Sequence, residues 1–284
     1  MIDLTGHTAL VTGGTQGVGA SIAVCLARAG ATVVVHGLRR DVLAEQTLQT
    51  CQSFAPNSTL LCCDLWQDWS TIHGSLVQPL LDRWPQLDLL VNNAGSFIDR
   101  PFLEMDETTY DRTMHLNLKV GYFLTQSLAQ HWIARNIRGR VLFTGSINGL
   151  LAESDHSAYD ASKAGVAGLV RSLCVALAPH GIRVNSMAPG LVRTPLTNQV
   201  LSTDPDALRW MQWHTPNGDV PHSDVCGPMA AFLLSDLATH IHGQTMYVDG
   251  GMNAWQQPDP PAEFRAWCTS QRNATASTAE QPPK

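Results

Sequence analysis

Tyr159 and Lys163 stand four residues apart, and Ser146 precedes the tyrosine by thirteen, in the segment SINGLLAESDHSAYDASK. On a helix, that spacing puts a phenol and an ammonium on one face, one turn apart. A free tyrosine titrates near about 10, too high to trade protons at neutral pH. A neighbouring cation favours the phenolate and lowers that value. The phenol then serves as general acid or base toward an alcohol or carbonyl oxygen, and a serine hydroxyl just past a strand steadies the same oxygen. A YxxxK pair by itself also occurs on solvated helix faces, so the elements around it decide its meaning.

Those elements must come from 284 residues, 44% hydrophobic and 15% charged, enough for one large α/β domain or two small ones. A net charge of -6 leaves no basic footprint for nucleic acid. No uninterrupted apolar run reaches membrane-span length, and the N-terminus lacks the pattern of a secretory signal. Seven cysteines, odd in number and without a CxxC, read as reduced thiols of a cytoplasmic protein rather than a disulfide framework or a metal site.

His7–Thr12 reads as a buried strand running into TGGTQGVG and a helix whose Val18, Ile22 and Leu26 form a core stripe. Strand, glycine-rich turn and helix together make a pyrophosphate cradle: the glycines allow close approach, and the helix start offers free N–H groups. Here Gly13, Gly17 and Gly19 enclose Thr15, Gln16 and Val18, in GxxxGxG spacing rather than GxGxxG. Ala31–His36 is the second strand. Its tip reads His36-Gly37-Leu38-Arg39-Arg40, without the acid that holds ribose hydroxyls in NAD-selecting folds. Arginine there suits a 2′-phosphate, which favours NADP(H) over NAD(H) through Arg39 or Arg40. Solvated arginines at a helix start are the alternative. Thr59–Cys63 ends in Asp64-Leu65, and Asp88–Val91 ends in the turn Asn92-Asn93-Ala94-Gly95.

The second half repeats the alternation. A helical stretch spans Thr108–Asn136 with Asn117 in its middle, an unfavourable place that predicts a bend or a bound water. Arg140–Thr144 is a strand delivering Ser146. His156–Pro179 is the helix of Tyr159 and Lys163, Ile182–Met187 a strand entering Pro189-Gly190, and Gln244–Val248 a final strand. Alternation of this kind predicts a single doubly wound, Rossmann-like parallel sheet of about seven strands with helices on both faces. All the turns then gather on one edge.

With TGGTQGVG, NNAG, Asn117, Ser146, YDASK and PGLVRT in this order, the chain resembles the short-chain dehydrogenase/reductases in their compact form, from about Leu4 to Met252. The resemblance implies NAD(P)-dependent interconversion of a secondary alcohol and a ketone. It makes Tyr159 the acid/base, Lys163 the residue that lowers the tyrosine and binds the nicotinamide ribose, and Ser146 the substrate-orienting hydroxyl. Asn117 would hold a water linking Lys163 to solvent. Gly13, Thr15, Gln16, Gly17, Val18 and Gly19 would wrap the pyrophosphate, and Asp64 and Leu65 would flank the adenine. Asn92, Ala94 and Gly95 would line the cofactor. Pro189, Gly190, Val192 and Thr194 would lie along the nicotinamide. The partners implied are a small alcohol or ketone and a second copy of the chain, as homodimer or homotetramer through the two long helices.

Gln16 departs from the basic residue that NADP-preferring members often carry in this loop. Residues 191–222 form the variable lid, where Trp210 and Trp213 either cover a substrate or pack the lid to the body. His156 reads as a loop histidine rather than a second base. The domain is expected to end near residue 254, followed by a Pro-rich, partly disordered tail over 255–284. Three rival readings remain. A silent cofactor-binding regulator would lack part of the Asn-Ser-Tyr-Lys set. An epimerase or dehydratase would carry a longer C-terminal domain. A 3-oxoacyl-carrier reductase would show a basic patch at its mouth.

Overall fold

Seven short strands, most of them rich in Val and Leu, build one parallel sheet, in the order β3-β2-β1-β4-β5-β6-β7. The computed structural model describes residues 2–203, 206–255 and 262–263. The strands are β1 (Thr8–Val11), β2 (Thr32–Gly37), β3 (Thr59–Cys62), β4 (Leu89–Asn92), β5 (Arg140–Thr144), β6 (Arg183–Pro189) and β7 (Thr245–Val248). In-register pairs such as Val11↔Val35 and Val11↔Val91 put β1 at the centre. The order reverses between β1 and β4, and a ligand crevice belongs outside the strand ends at such a switch point.

The runs are continuous rather than alternating because both faces are covered. Val11, Val33, Val35 and Val91 face one core, shared with Ile22, Leu26 and Ala230. Leu10, Val34 and Leu90, one residue out of step, face a second core with Leu124, Trp132 and Val170. Helices α1 (Gly17–Arg28) and α2 (Val42–Phe54) flank the first side, and Asp41 caps α2 by accepting the Ala44 N–H. Next come α3 (Trp69–Ile72), α4 (Gln78–Arg83), α5 (Glu107–Met114) and α6 (Val120–Arg135). The expected stretch Thr108–Asn136 is therefore α5 and α6, joined through a π turn at His115–Lys119 with Asn117 in it. That is the predicted bend, and Asn136 ends it in the left-handed conformation at φ 55.

Helix α7 (Ser157–Leu177) lies on the second face against β6. Contrary to the reading of apolar runs, an 18-residue window within 157–180 reaches a mean hydropathy of 1.4, enough in length and composition to cross a membrane. Here the helix lies on the sheet and carries a buried lysine. Residues 191–222 form α8 (Pro195–Thr203) and α9 (Ala207–Trp213), and α10 (Cys226–Leu234) packs on α1. Of the expected tail, only Trp255 and residues 262–263 are described.

Candidate active site

A cleft of ≈ 520 Å³ crosses the C-terminal edge of the sheet at the β1/β4 switch point. The glycine turn forms its floor. A Cβ added to Gly19 would sit 2.2 Å from the Gly13 carbonyl oxygen, so only glycine lets α1 start this close under the turn. Thr15, Gln16, Gly17 and Val18 border the same floor, with Asp64 and Leu65 at one end and Ala94 and Gly95 beside it. Pro189, Gly190, Val192 and Thr194 close the other end, next to Ser146, Tyr159 and Lys163.

Four predicted residues, Arg39, Arg40, Asn92 and Asn117, do not border this cleft. Arg39 is 78% exposed and pairs with Asp41 at 3.4 Å. Arg40 likewise pairs with Glu45 in solvent. At Gly37 a Cβ would lie 2.5 Å from Thr15 Cγ2, so the strand tip packs too tightly on the glycine turn for the missing acid. Asn92 points back into the protein, donating from Nδ2 to Thr125 Oγ1 at 3.0 Å. Its neighbour Asn93 takes the expected place. Asn93 donates to the Thr12 and Gly13 carbonyls, both at 3.1 Å, and accepts from Thr144 Oγ1 at 3.1 Å. The sequence offered two adjacent asparagines, and the strand's alternation decides between them.

Asn117 stands behind the catalytic face. Its Oδ1 accepts the Ser96 N–H at 2.7 Å, and its Nδ2 donates to the Ser96 carbonyl at 3.0 Å and to Ser162 Oγ at 2.9 Å. The amide is thus occupied by protein, and a relay water must be held in another way. A void of ≈ 10 Å³ beneath the cleft is bordered by Asn117, Asn92, Thr144 and Lys163, on the order of one water's room. Asn92 Oδ1 is buried without a hydrogen-bond partner among the described residues.

His36 was missed by sequence reading. It is 2% exposed and lies between two neighbouring strand ends. Its Nδ1 accepts the Gly13 N–H at 3.2 Å while Nε2 reaches the Cys63 carbonyl at 3.1 Å. One ring nitrogen accepts and the other donates, so the fit requires the neutral imidazole. Burial agrees, pushing its pKa down to about 4. A histidine at a strand tip is the only trace this leaves in the sequence.

Lys163 is 7% exposed and donates from Nζ to the Thr144 carbonyl at 2.9 Å. Burial pushes its pKa down to about 8. Nζ lies 5.5 Å from the centre of the Tyr159 ring. The expected lowering of the tyrosine is not seen. Burial pushes the phenol up to about 12, against which a hydrogen bond from Ser146 works. Desolvation outweighs that hydrogen bond, and the Lys163 ammonium is itself buried and turned to the Thr144 carbonyl. Ser146 caps a short 3-10 turn, accepting the Asn148 N–H at 3.1 Å.

On the lid, Ala207 and Met211 are the buried residues of α9, at 7% and 8% exposed. Trp210 stacks on His214 with ring centres 4.0 Å apart, and Arg209 covers Trp213 at 4.5 Å. Both tryptophans remain about two-fifths exposed (43% and 39%).

A family model described as "Enoyl-(Acyl carrier protein) reductase" matches residues 13–253. The chain is 32% identical over 252 residues to the 3-oxoacyl-[acyl-carrier-protein] reductase of Rickettsia felis, covering 89% of this chain and 99% of that one. The chain belongs to the short-chain dehydrogenase/reductase family. It is also 32% identical over 250 residues to the L-rhamnose 1-dehydrogenase (NAD(P)(+)) of a Sphingomonas species, covering 88% and 97%. Among solved structures, a putative 2-deoxy-D-gluconate 3-dehydrogenase of Agrobacterium tumefaciens with bound NADP matches at TM-score 0.82 and 33% identity, over 89% of this chain and 99% of that one. The protein is accordingly an NAD(P)-dependent oxidoreductase acting on CH–OH groups, with a tyrosine as acid/base. Relatives at nearly equal identity carry thioester, sugar and aldonate names. Similarity at this level therefore defines the reaction and not the substrate.

The residues fit a dinucleotide. The Gly13–Gly19 floor, the Asn93 brace and the neutral His36 leave a cradle against which backbone N–H groups can face phosphate. When bound there, the nicotinamide supplies or takes up the hydride.

Proposed function

We propose that this short-chain dehydrogenase/reductase interconverts a small uncharged secondary alcohol and its ketone, and prefers NADP(H) to NAD(H). The observation that carries the reading is the meeting of Ser146, Tyr159 and Lys163 at one end of a cleft whose other end is the glycine cradle. In the reducing direction Tyr159 Oη gives its proton to the carbonyl oxygen while Ser146 Oγ steadies that oxygen. With its pKa at about 12, the phenol is fully protonated at neutral pH and ready to donate. Lys163, at about 8, holds its charge below that pH and supports the phenolate left behind. Reduction should therefore fall as pH rises through about 8, where Lys163 loses its proton, while oxidation, which needs the phenolate, gains only as pH approaches the tyrosine's own value of about 12. Reprotonation of Tyr159 would run through Lys163 to a water in the void beside Asn92 and Asn117.

Two features support NADP(H). The β2 tip offers no carboxylate to ribose hydroxyls, and Arg39 and Arg40 stand beside that tip on exposed, weakly held pairs from which they can swing. The three carboxylates of Asp99, Glu153 and Asp155 gathered at the substrate side favour an uncharged substrate over an anionic carrier. Exposed Tyr122, Ile133 and Val175 on α6 and α7 suit pairing with a second copy, as homodimer or homotetramer. Free cysteines suit a cytoplasmic setting.

The test is a titration with NADPH and with NADH, followed by nicotinamide fluorescence. Turnover would then be measured against neutral sugars, polyols, cyclic ketones and a 3-oxoacyl thioester. Tighter NADPH binding and turnover of an uncharged compound are expected. Turnover of the thioester alone would give the site to carrier-bound chains, and failure to bind either nucleotide would remove the enzymatic reading.

A further inference from the structure

His156 begins α7 three residues before Tyr159, is 7% exposed, and takes no part in the chemistry above. Its two ring nitrogens face carboxylates on two different loops. Nε2 lies 2.7 Å from Asp99 Oδ1, on the loop that follows β4. Nδ1 lies 3.4 Å from Glu153 Oε1, and Nε2 lies 3.7 Å from Asp155 Oδ1, both on the segment leading into α7. The Nδ1 contact is an ion pair without hydrogen-bond alignment. The same two segments are joined once more by backbone, Arg100 N–H donating to the Asp155 carbonyl at 2.9 Å.

The imidazole also has a face. Phe97, from the β4 loop, borders the cleft and meets His156 edge-on with ring centres 4.7 Å apart. The same Phe97 stands at 89° to the Tyr159 ring, 4.9 Å away. Contact therefore runs from His156 through Phe97 to the acid/base. We infer that His156 is a positioning residue: paired with Asp99 and Glu153, it clamps the β4 loop to the start of α7 and holds Phe97 against the Tyr159 ring. The inference rests on the alcohol–ketone reading of the site. Edge-to-face geometry fixes the plane of the phenol about its own axis, and hence where Oη presents its proton.

Charge explains why the clamp needs a histidine. Without the imidazolium, Asp99, Glu153 and Asp155 face one another with no cation among them. The other charged groups nearby are engaged elsewhere. Arg100 pairs with Asp106, and Asp160 accepts from Asn148 and from the Glu153 N–H. His214, at the end of α9, stands on the far side of Glu153. The Tyr159 ring is 6.3 Å from the imidazole and neutral in the working range. Interaction with Glu153, then with Asp99 and Asp155, holds the His156 pKa up at about 9 in spite of burial. A histidine raised on folding stabilises fully below its free value, and that contribution is lost as pH rises through the folded value. The clamp is thus closed below about pH 6.5 and is released toward pH 9.

The test compares wild type, His156→Gln, Asp99→Asn and the double variant in two measurements. Thermal melting is recorded from pH 6 to 10, and steady-state kinetics with NADPH and the best ketone of the panel over the same range. Wild type should lose several degrees of melting temperature between pH 6.5 and 9, and His156→Gln should lack that drop. Substituting His156 should lower kcat by on the order of tenfold to a hundredfold with KM little changed, as misplacement of a reacting group does. Adding Asp99→Asn should restore part of that loss, because it removes the uncompensated repulsion. A merely structural histidine would lower the melting temperature but would not be rescued by removing its partner. Equal kcat and equal pH limbs in wild type and His156→Gln would overturn the inference. Should wild type turn over no ketone, the reading of the function fails. The melting cycle then decides the clamp alone: a drop kept in His156→Gln refutes it, and a drop lost there supports it.

Discussion

The two ends of the cleft are built in different ways. At the cofactor end, backbone does the work: Gly19 under the Gly13 carbonyl, and Asn93 and His36 bracing the glycine turn from two strands. Contacts there are short, buried and set by strand register. At the substrate end, side chains from separate segments do the work: Asp99 and Phe97 on the β4 loop meet His156 beside Glu153, and α9 carries Trp210 and Trp213. Four of those six groups are exposed. The first arrangement holds a constant ligand, whereas the second can change its substrate by changing loops while Ser146, Tyr159 and Lys163 stay at the junction.

The contrast can be broken at the junction first. Lys163→Met removes a buried ammonium that burial already disfavours, so melting temperature should hold or rise while kcat falls by on the order of 10²–10⁴. A stable variant with wild-type turnover would detach Lys163 from the chemistry. Gly19→Ala tests the rigid end. Overpacking costs about 1–3 kcal/mol, so NADPH affinity should fall on the order of tenfold to a hundredfold, read by fluorescence titration. Unchanged binding would mean that the glycine turn yields. Trp213→Ala tests the adaptable end: KM for the ketone should rise by about threefold to tenfold with cofactor affinity untouched. Smallest of all, Arg39→Ala should change NADPH affinity by at most about fivefold, as an exposed pair permits. An equal change for NADPH and NADH would take this arginine off the 2′-phosphate.

The same contrast explains what could be read from sequence. Strands β1, β2 and β4 were legible because Val11, Val35, Val91 and their neighbours are apolar on both faces, and only a covered parallel strand tolerates that. The glycine turn and the Tyr159–Lys163 pair were legible because their spacing is itself the geometry. Asn117 was flagged by its poor helical fit, and the π turn is the reason for it. Local reading failed where partners are distant in the chain. Asn92 and Asn93 are equivalent on paper, and only the orientation of β4 separates them. His36 acts through Gly13 and Cys63, and His156 through Asp99, fifty-seven positions away by number. Arg39 carries the right charge, yet Gly37 packs on Thr15 and the arginine turns outward to Asp41. The lowered tyrosine was expected from charge alone, and burial outweighs it.

The most direct test of the central claim is Tyr159→Phe, with NADPH affinity and ketone turnover measured on the same preparation. The account predicts NADPH binding within about twofold of wild type, because the phenol adds little to a cradle made of backbone. It predicts turnover lowered by on the order of 10²–10⁴, because the Ser146 hydroxyl, the other group at the substrate oxygen, is too weak an acid to give up its proton. Turnover close to wild type with binding intact would contradict it, and would place the proton on a residue other than Tyr159.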